Sequence, residues 1–107
     1  MQRGDLVLAV GKGDFSGKPR PALLVRNDQF AGFPTIVLCP VTSHLTGAVP
    51  VRIPLPCNDR TGLDKSSEVE IDKIQAVQIG RVRETIGHAS DEEMLAVDDA
   101  LRVWLDL

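Results

Sequence analysis

Apolar and polar residues alternate in short runs along most of this chain, and only its last stretch switches to a helical period. The first run, Asp5 to Val10, is apolar enough for a strand buried on both faces. Gly11 to Gly17 carries three glycines and predicts a loop, either one able to lie over a site or a plain hairpin connection. Ala22 to Arg26 continues a second strand, and Asn27-Asp28 supplies turn chemistry. After the Gly32–Pro34 turn, Thr35 to Val41 is rich in β-branched residues and predicts a third strand, running out into the polar Thr42-Ser43-His44. Val49 to Ile53 reads as a short edge strand because Pro50 and Pro54 cannot donate to a ladder. From Ser66 to Val77 the alternation puts Val69 and Ile71 on one face and Glu68, Glu70 and Asp72 on the other, with Ile74 and Val77 extending the apolar set. Gly80 to Ile86 predicts another short strand or turn, broken at Gly87-His88.

Ser90 and Glu93 match a capping box, and Asp91, Glu92 and Glu93 suit the positive end of a helix dipole. Met94, Val97, Leu101, Trp104 and Leu105 then follow helical spacing as one apolar stripe, read as core packing. The expected fold class is therefore mainly β with a C-terminal α-helix. Five or six short strands would make a strongly bent antiparallel sheet or SH3-like small barrel with the helix packed on it.

Composition narrows this picture. A chain of 107 residues predicts one domain spanning 1–107 with a single modest core. With three Phe, one Trp and no Tyr, that core must be mostly Val, Ile, Leu and Ala. No apolar run nears the roughly 20 residues that span a bilayer, and the first residues turn polar too soon for a signal peptide, so a cytoplasmic location is expected. Cys39 and Cys57 have neither metal-type nor redox spacing and read as free thiols, Cys39 as a buried hydrophobe. The net charge of −3 is uneven. Residues 1–54 hold six Lys/Arg against three Asp/Glu, whereas residues 55–107 hold six against twelve. The acidic total disfavours generic nucleic-acid binding, while the basic half permits a local anion site.

Several chemistries are excluded by their missing motifs: a dinucleotide-binding glycine fingerprint, a Walker A loop, HExxH, a Cys/His zinc cluster and GxSxG. What stands out is Gly17-Lys18-Pro19-Arg20-Pro21. The prolines lack donors and push Lys18 and Arg20 toward extended backbone, so two cations are held stiffly at the mouth of a strand. That placement suits a phosphate, although Pro-Arg-Pro can also simply shape the start of a strand. His44, beside Thr42 and Ser43, is either an acid–base candidate or a solvated loop histidine; His88 reads as structural. A fixed guanidinium with a hydroxyl, needing no metal or cofactor, fits RNA phosphodiester chemistry, in which the substrate brings its own 2′-hydroxyl nucleophile.

These residues also carry a family resemblance. Arg3-Gly4-Asp5, then Gly17-Lys18-Pro19-Arg20-Pro21-Ala22, then Cys39-Pro40-Val41-Thr42-Ser43, then Gly62-Leu63, Ser67-x-Val69 and Asp72-Lys73-Ile74 occur in the order seen in MazF/PemK-type toxins of bacterial type II toxin–antitoxin systems. The resemblance covers nearly the whole chain, the terminal helix included. It implies a homodimeric SH3-like barrel and a metal-independent endoribonuclease. Such an enzyme cuts single-stranded RNA, chiefly mRNA, at short motifs, leaving a 2′,3′-cyclic phosphate and a 5′-hydroxyl. A cognate antitoxin would cover the RNA groove. By position, Arg20 would stabilise the transition state and is a candidate to protonate the leaving oxygen. Thr42 would bond the phosphate or orient the 2′-hydroxyl, and Lys18 and Ser43 would hold substrate. Asp72 matches an acidic position proposed as a base in part of the family, the alternative being a solvated face shared with Glu68 and Glu70. The chain departs from the family in lacking a Gly-x-Glu run before Lys18, where Asp14 is the only acid, and in placing Glu70 where some relatives have a cation. Two other readings stand beside the nuclease. One is a gyrase-poisoning toxin on the same fold, which ends in a Trp-Gly-Ile-like sequence where this chain has Trp104-Leu105-Asp106-Leu107; the other is an SH3-like interaction module without activity.

Overall fold

The computed structural model describes residues 1–10 and 17–107; the predicted glycine loop, apart from Gly17, lies outside them. The described chain forms seven strands and one α-helix: β1 (Asp5–Ala9), β2 (Arg20–Leu24), β3 (Thr35–Thr42), β4 (Arg52–Leu55), β5 (Ser67–Glu70), β6 (Gln75–Gln78), β7 (Val82–His88) and α1 (Asp91–Leu105). The pairing is antiparallel, in the order β4-β5-β3-β2-β1-β7, with β6 also paired to β3.

The long β3 explains the bend. On one edge it pairs with β2, while on the other its first half pairs with β6 and its last two residues with β5. The sheet therefore forks along a single strand, and its two branches enclose separate apolar clusters. Leu6, Leu23 and Cys39 belong to one cluster, closed over by Val97 and Ala100 of α1. Val7, Ala22 and Leu24 belong to the other, with Ile36, Leu38 and Val77. Neighbouring residues on β1 and β2 thus face different cores, which is why both strands are nearly continuous apolar runs.

Four expectations need correction. The run from Ser66 to Val77 is not one strand: a 3-10 turn at Ile71–Lys73 separates β5 from β6. Glu68 and Glu70 are buried, 4% and 8% exposed, rather than solvated. Strand β7 passes through Gly87 to His88 instead of stopping there. A Cβ on Gly87 would lie 2.3 Å from the Arg60 carbonyl oxygen, so this glycine is required by a close backbone approach and not by a turn. Finally, the helical stripe is core only in part. Val97 is fully buried, but Trp104 and Leu105 are about half exposed.

The capping box is present: the Glu93 backbone N–H donates to Ser90 Oγ (3.1 Å), and the Ser90 N–H donates to Glu93 Oε1 (2.8 Å). Glu93 also takes two bonds from Arg60, at 2.8 and 3.1 Å, which tie the loop before β5 to the start of α1. Arg3, from the Arg3-Gly4-Asp5 landmark, bonds Asp98 on α1 and the Val25 carbonyl, so this landmark is structural.

Both cysteines are free, Cys39 buried and Cys57 exposed. Burial pushes the Cys39 thiol up to about 12, against a smaller opposing pull from Arg3. One thiol per folded chain is therefore expected to react with an aromatic disulfide reagent near neutral pH, and two after denaturation. Two fast thiols in the folded protein would show that β3 opens readily.

Candidate functional site

The chain enters β2 at Arg20, opposite Ala9 of β1, and leaves β3 at Thr42. Because β2 and β3 run antiparallel, the start of one and the end of the other meet at the same end of the sheet. Lys18, Arg20, Thr42 and Ser43 consequently line one groove of about 630 Å³, together with Pro19, Pro21, Pro40 and Val41. Gly62, Leu63, Asp64, Lys65, Ser67 and Glu70 line it too, adding one further cation and two carboxylates. Arg20 is exposed and Thr42 half-buried.

Thr42 has a defined orientation. Its Oγ1 accepts the His44 backbone N–H at 3.1 Å, which leaves the hydroxyl proton for an acceptor placed in the groove. His44 and Asp72 are not among the groove-lining residues. Asp72 instead accepts two bonds from Arg52, from Nε at 2.9 Å and Nη2 at 3.3 Å. The Arg52 side-chain bond holds the Asp72 carboxyl below its ordinary value, so it is a weakened proton acceptor.

Arg52 is the centre of this region. Besides Asp72, it lies 3.9 Å from Glu68 and 3.4 Å from Glu70, and Lys73 approaches Glu70 at 3.2 Å. Strand register explains the gathering: Arg52 pairs with Glu70, and Glu68 pairs with both Pro54 and Thr42. The non-core faces of β4, β5 and the end of β3 thus bring Arg52, Glu68, Glu70 and Thr42 onto one surface.

Glu68 is the residue whose role the alternation pattern conceals. Its carboxylate accepts from the Thr46 N–H (3.0 Å), the Thr46 hydroxyl (3.1 Å) and the Gly47 N–H (2.8 Å). Those two backbone donors, with smaller help from the Thr46 hydroxyl and Arg52, hold it below the usual carboxylate range despite burial. Glu68 therefore fastens the loop that carries Ser43 and His44 away from Thr42. The one sequence signal for this was Arg52, a cation set between the two prolines of an edge strand. Lys65 and Asp64, in a turn-rich connection, gave no comparable signal.

A small forked β-barrel whose groove gathers a guanidinium, ammonium groups and oriented hydroxyls is a class of protein suited to binding an extended polyanion. The family description "PemK-like, MazF-like toxin of type II toxin-antitoxin system" matches residues 2–105, and the chain belongs to that family. It is 33% identical, over all 107 residues and 98% of the relative's length, to a protein of Mycolicibacterium smegmatis named a probable endoribonuclease MazF. Among solved structures it resembles a MazE–MazF crystal structure from Deinococcus radiodurans, with TM-score 0.81 and 26% identity over 100% of this chain and 96% of that one. An endoribonuclease in complex with its cognate antitoxin from a mycobacterial species shares the fold, with TM-score 0.83 at 18% identity, over 100% of this chain and 96% of that one.

Proposed function

We propose that this chain, as a single domain over residues 1–107, is the toxin of a type II toxin–antitoxin pair. In this reading it is a metal-independent endoribonuclease that cuts single-stranded RNA in the groove where the start of β2 meets the end of β3. The observation that carries the reading is the meeting of Arg20 and Thr42 on two strand ends, in a chain of this family.

Strand ends hold functional groups more rigidly than loops, and both residues are anchored by ladder pairing. With a phosphodiester in the groove, the Arg20 guanidinium donates to the non-bridging oxygens as negative charge builds on them. Thr42, with one lone pair occupied by His44, donates its hydroxyl proton to the same phosphate. The substrate 2′-oxygen forms a bond to phosphorus while the bond to the 5′-oxygen breaks. One proton leaves the 2′-oxygen and one is gained by the 5′-oxygen, giving a 2′,3′-cyclic phosphate and a 5′-hydroxyl with no co-reactant. Lys18 and Ser43 hold the neighbouring chain. Asp72 supports the site through Arg52.

The same reading gives the protein a homodimeric state, a cognate antitoxin as partner and a cytoplasmic location. Exposed Leu95, Val103, Trp104 and Leu107 on and beyond α1 supply apolar surface for assembly. Among the described residues no helix is long and apolar enough to cross a membrane.

The test is incubation of the purified protein with a long single-stranded RNA in EDTA, with product ends mapped. Discrete cuts bearing cyclic phosphates are expected. Thr42→Ala is expected to slow single-turnover cleavage about a hundredfold, the cost of one oxyanion donor. An unchanged rate would take Thr42 out of the reaction, and absence of cutting by folded wild-type protein would overturn the nuclease reading itself.

A further inference from the structure

We infer that Glu70 reads an RNA base, accepting a hydrogen bond from an exocyclic amino group and so selecting adenine, cytosine or guanine against uracil at one position near the cut. The inference rests on the nuclease reading above and assigns the groove a specificity residue.

Three observations place Glu70 in this role. It lines the groove with Arg20 and Thr42. It stands two residues from Glu68 on β5, and Glu68 is the direct partner of Thr42, so Glu70 and Thr42 share a face as diagonal cross-strand neighbours, about 7–8 Å apart at the backbone. Its two carboxylate oxygens are also unequal. The nearest approaches of Arg52 (3.4 Å) and Lys73 (3.2 Å) are both to Oε2. The carboxylate is therefore tied through Oε2 to two cations while its residue lines the groove.

A fixed acceptor without a donor discriminates in a defined way. Amino groups of cytosine, adenine and guanine can donate to it, cytosine N4 being a known partner of Glu in base readout. Uracil has no amino group; its one N–H, at N3, lies between two carbonyl oxygens, and both repel a carboxylate that approaches it. The ion pairs to Arg52 and Lys73 keep the Glu70 carboxylate from swinging aside, so the acceptor is held in one place.

The experiment uses RNA with all four bases at each position around the cleavage site, cut in EDTA by wild type, Glu70→Gln and Glu70→Asp. One position is expected to disfavour uracil by about tenfold or more in the wild type, the usual worth of a hydrogen bond to a charged group. Glu70→Gln, which offers a donor as well as an acceptor, should let uracil in. Glu70→Asp keeps the charge on Arg52 and Lys73 but withdraws the oxygen by one methylene, and should flatten the same position. Identical base preferences in all three proteins would overturn the inference. Binding of uncleavable 2′-O-methyl octamers of A, C or U separates the two readings. If folded protein binds A and C over U in a Glu70-dependent way yet cuts nothing, the nuclease reading fails and base reading survives. If it cuts RNA but binds all three octamers equally, base reading fails alone.

Discussion

Arg20→Ala is expected to abolish RNA cleavage, with a loss of a thousandfold or more, while the protein melts at the wild-type temperature. The size follows from geometry. A guanidinium donates through a planar fork to two phosphate oxygens, stays charged at every relevant pH, and each lost oxyanion donor costs about 10²–10³ in rate. The neutrality of folding follows from position: Arg20 is exposed, opens β2 and belongs to neither apolar cluster. Arg20→Lys separates charge from shape. It should retain RNA binding and recover only a small part of the rate, because an ammonium is a point charge without the fork. Lys18→Ala, by contrast, should weaken binding and its salt dependence more than turnover. The decisive measurement pairs single-turnover cleavage in EDTA with thermal melting of the same samples. A variant that melts well below wild type would make Arg20 a structural residue of the β2 start and remove it from the chemistry.

How much of this was readable from the chain depends on what each segment packs against. Strands β1 to β3 were legible because both of their faces are buried, which leaves a nearly unbroken apolar run as a signature. The helix was legible from its cap, since Ser90 and Glu93 act locally. Gly87 was misread because a glycine demanded by the approach of a distant backbone carries the same letter as a glycine at a turn. The charged residues of β5 were misread for a related reason. Alternation reports which residues avoid the core, and it cannot report that Arg52 and the Thr46–Gly47 loop cover the second face. Trp104 followed the helical stripe by spacing, but the buried part of that stripe ends with Val97 and Ala100, and the last turn of the helix is exposed. For the candidate site, the landmarks located Lys18, Arg20, Thr42 and Ser43 in separate segments, and the antiparallel pairing of β2 with β3 unites them. Lys65 and Glu70, in the acidic half of the chain, entered the groove only through the fold.

Arg52→Met is expected to lower the melting temperature at pH 7 by on the order of 10 °C and to reverse how stability responds to acid. In the wild type, Asp72 is held below its ordinary value of 3.8 by its hydrogen bond from Arg52. Glu68 is held below 4.5 by the Thr46 and Gly47 backbone donors, with a smaller contribution from Arg52. Groups with lowered folded values bind fewer protons than in the unfolded chain. Their stabilisation is therefore complete above those ordinary values and disappears as pH falls through the lowered ones. Wild-type stability should accordingly be flat from pH 7 to about 5 and then decline. Without Arg52, three carboxylates that pack around one cation face one another, with Lys73 still close to Glu70. Mutual repulsion then raises the Glu68 and Asp72 values, protonation relieves it, and the variant should gain stability as pH falls from 7 toward 5. Added salt should act in the same direction by screening the exposed part of the repulsion. Methionine fills the aliphatic volume of the arginine stem, so the comparison isolates charge from packing. Melting curves for the two proteins at half-unit steps of pH decide the matter. Parallel curves would mean that Arg52 contributes bulk alone; crossing slopes would establish it as the charge that lets Glu68 hold the Thr42 loop and Glu70 face the groove.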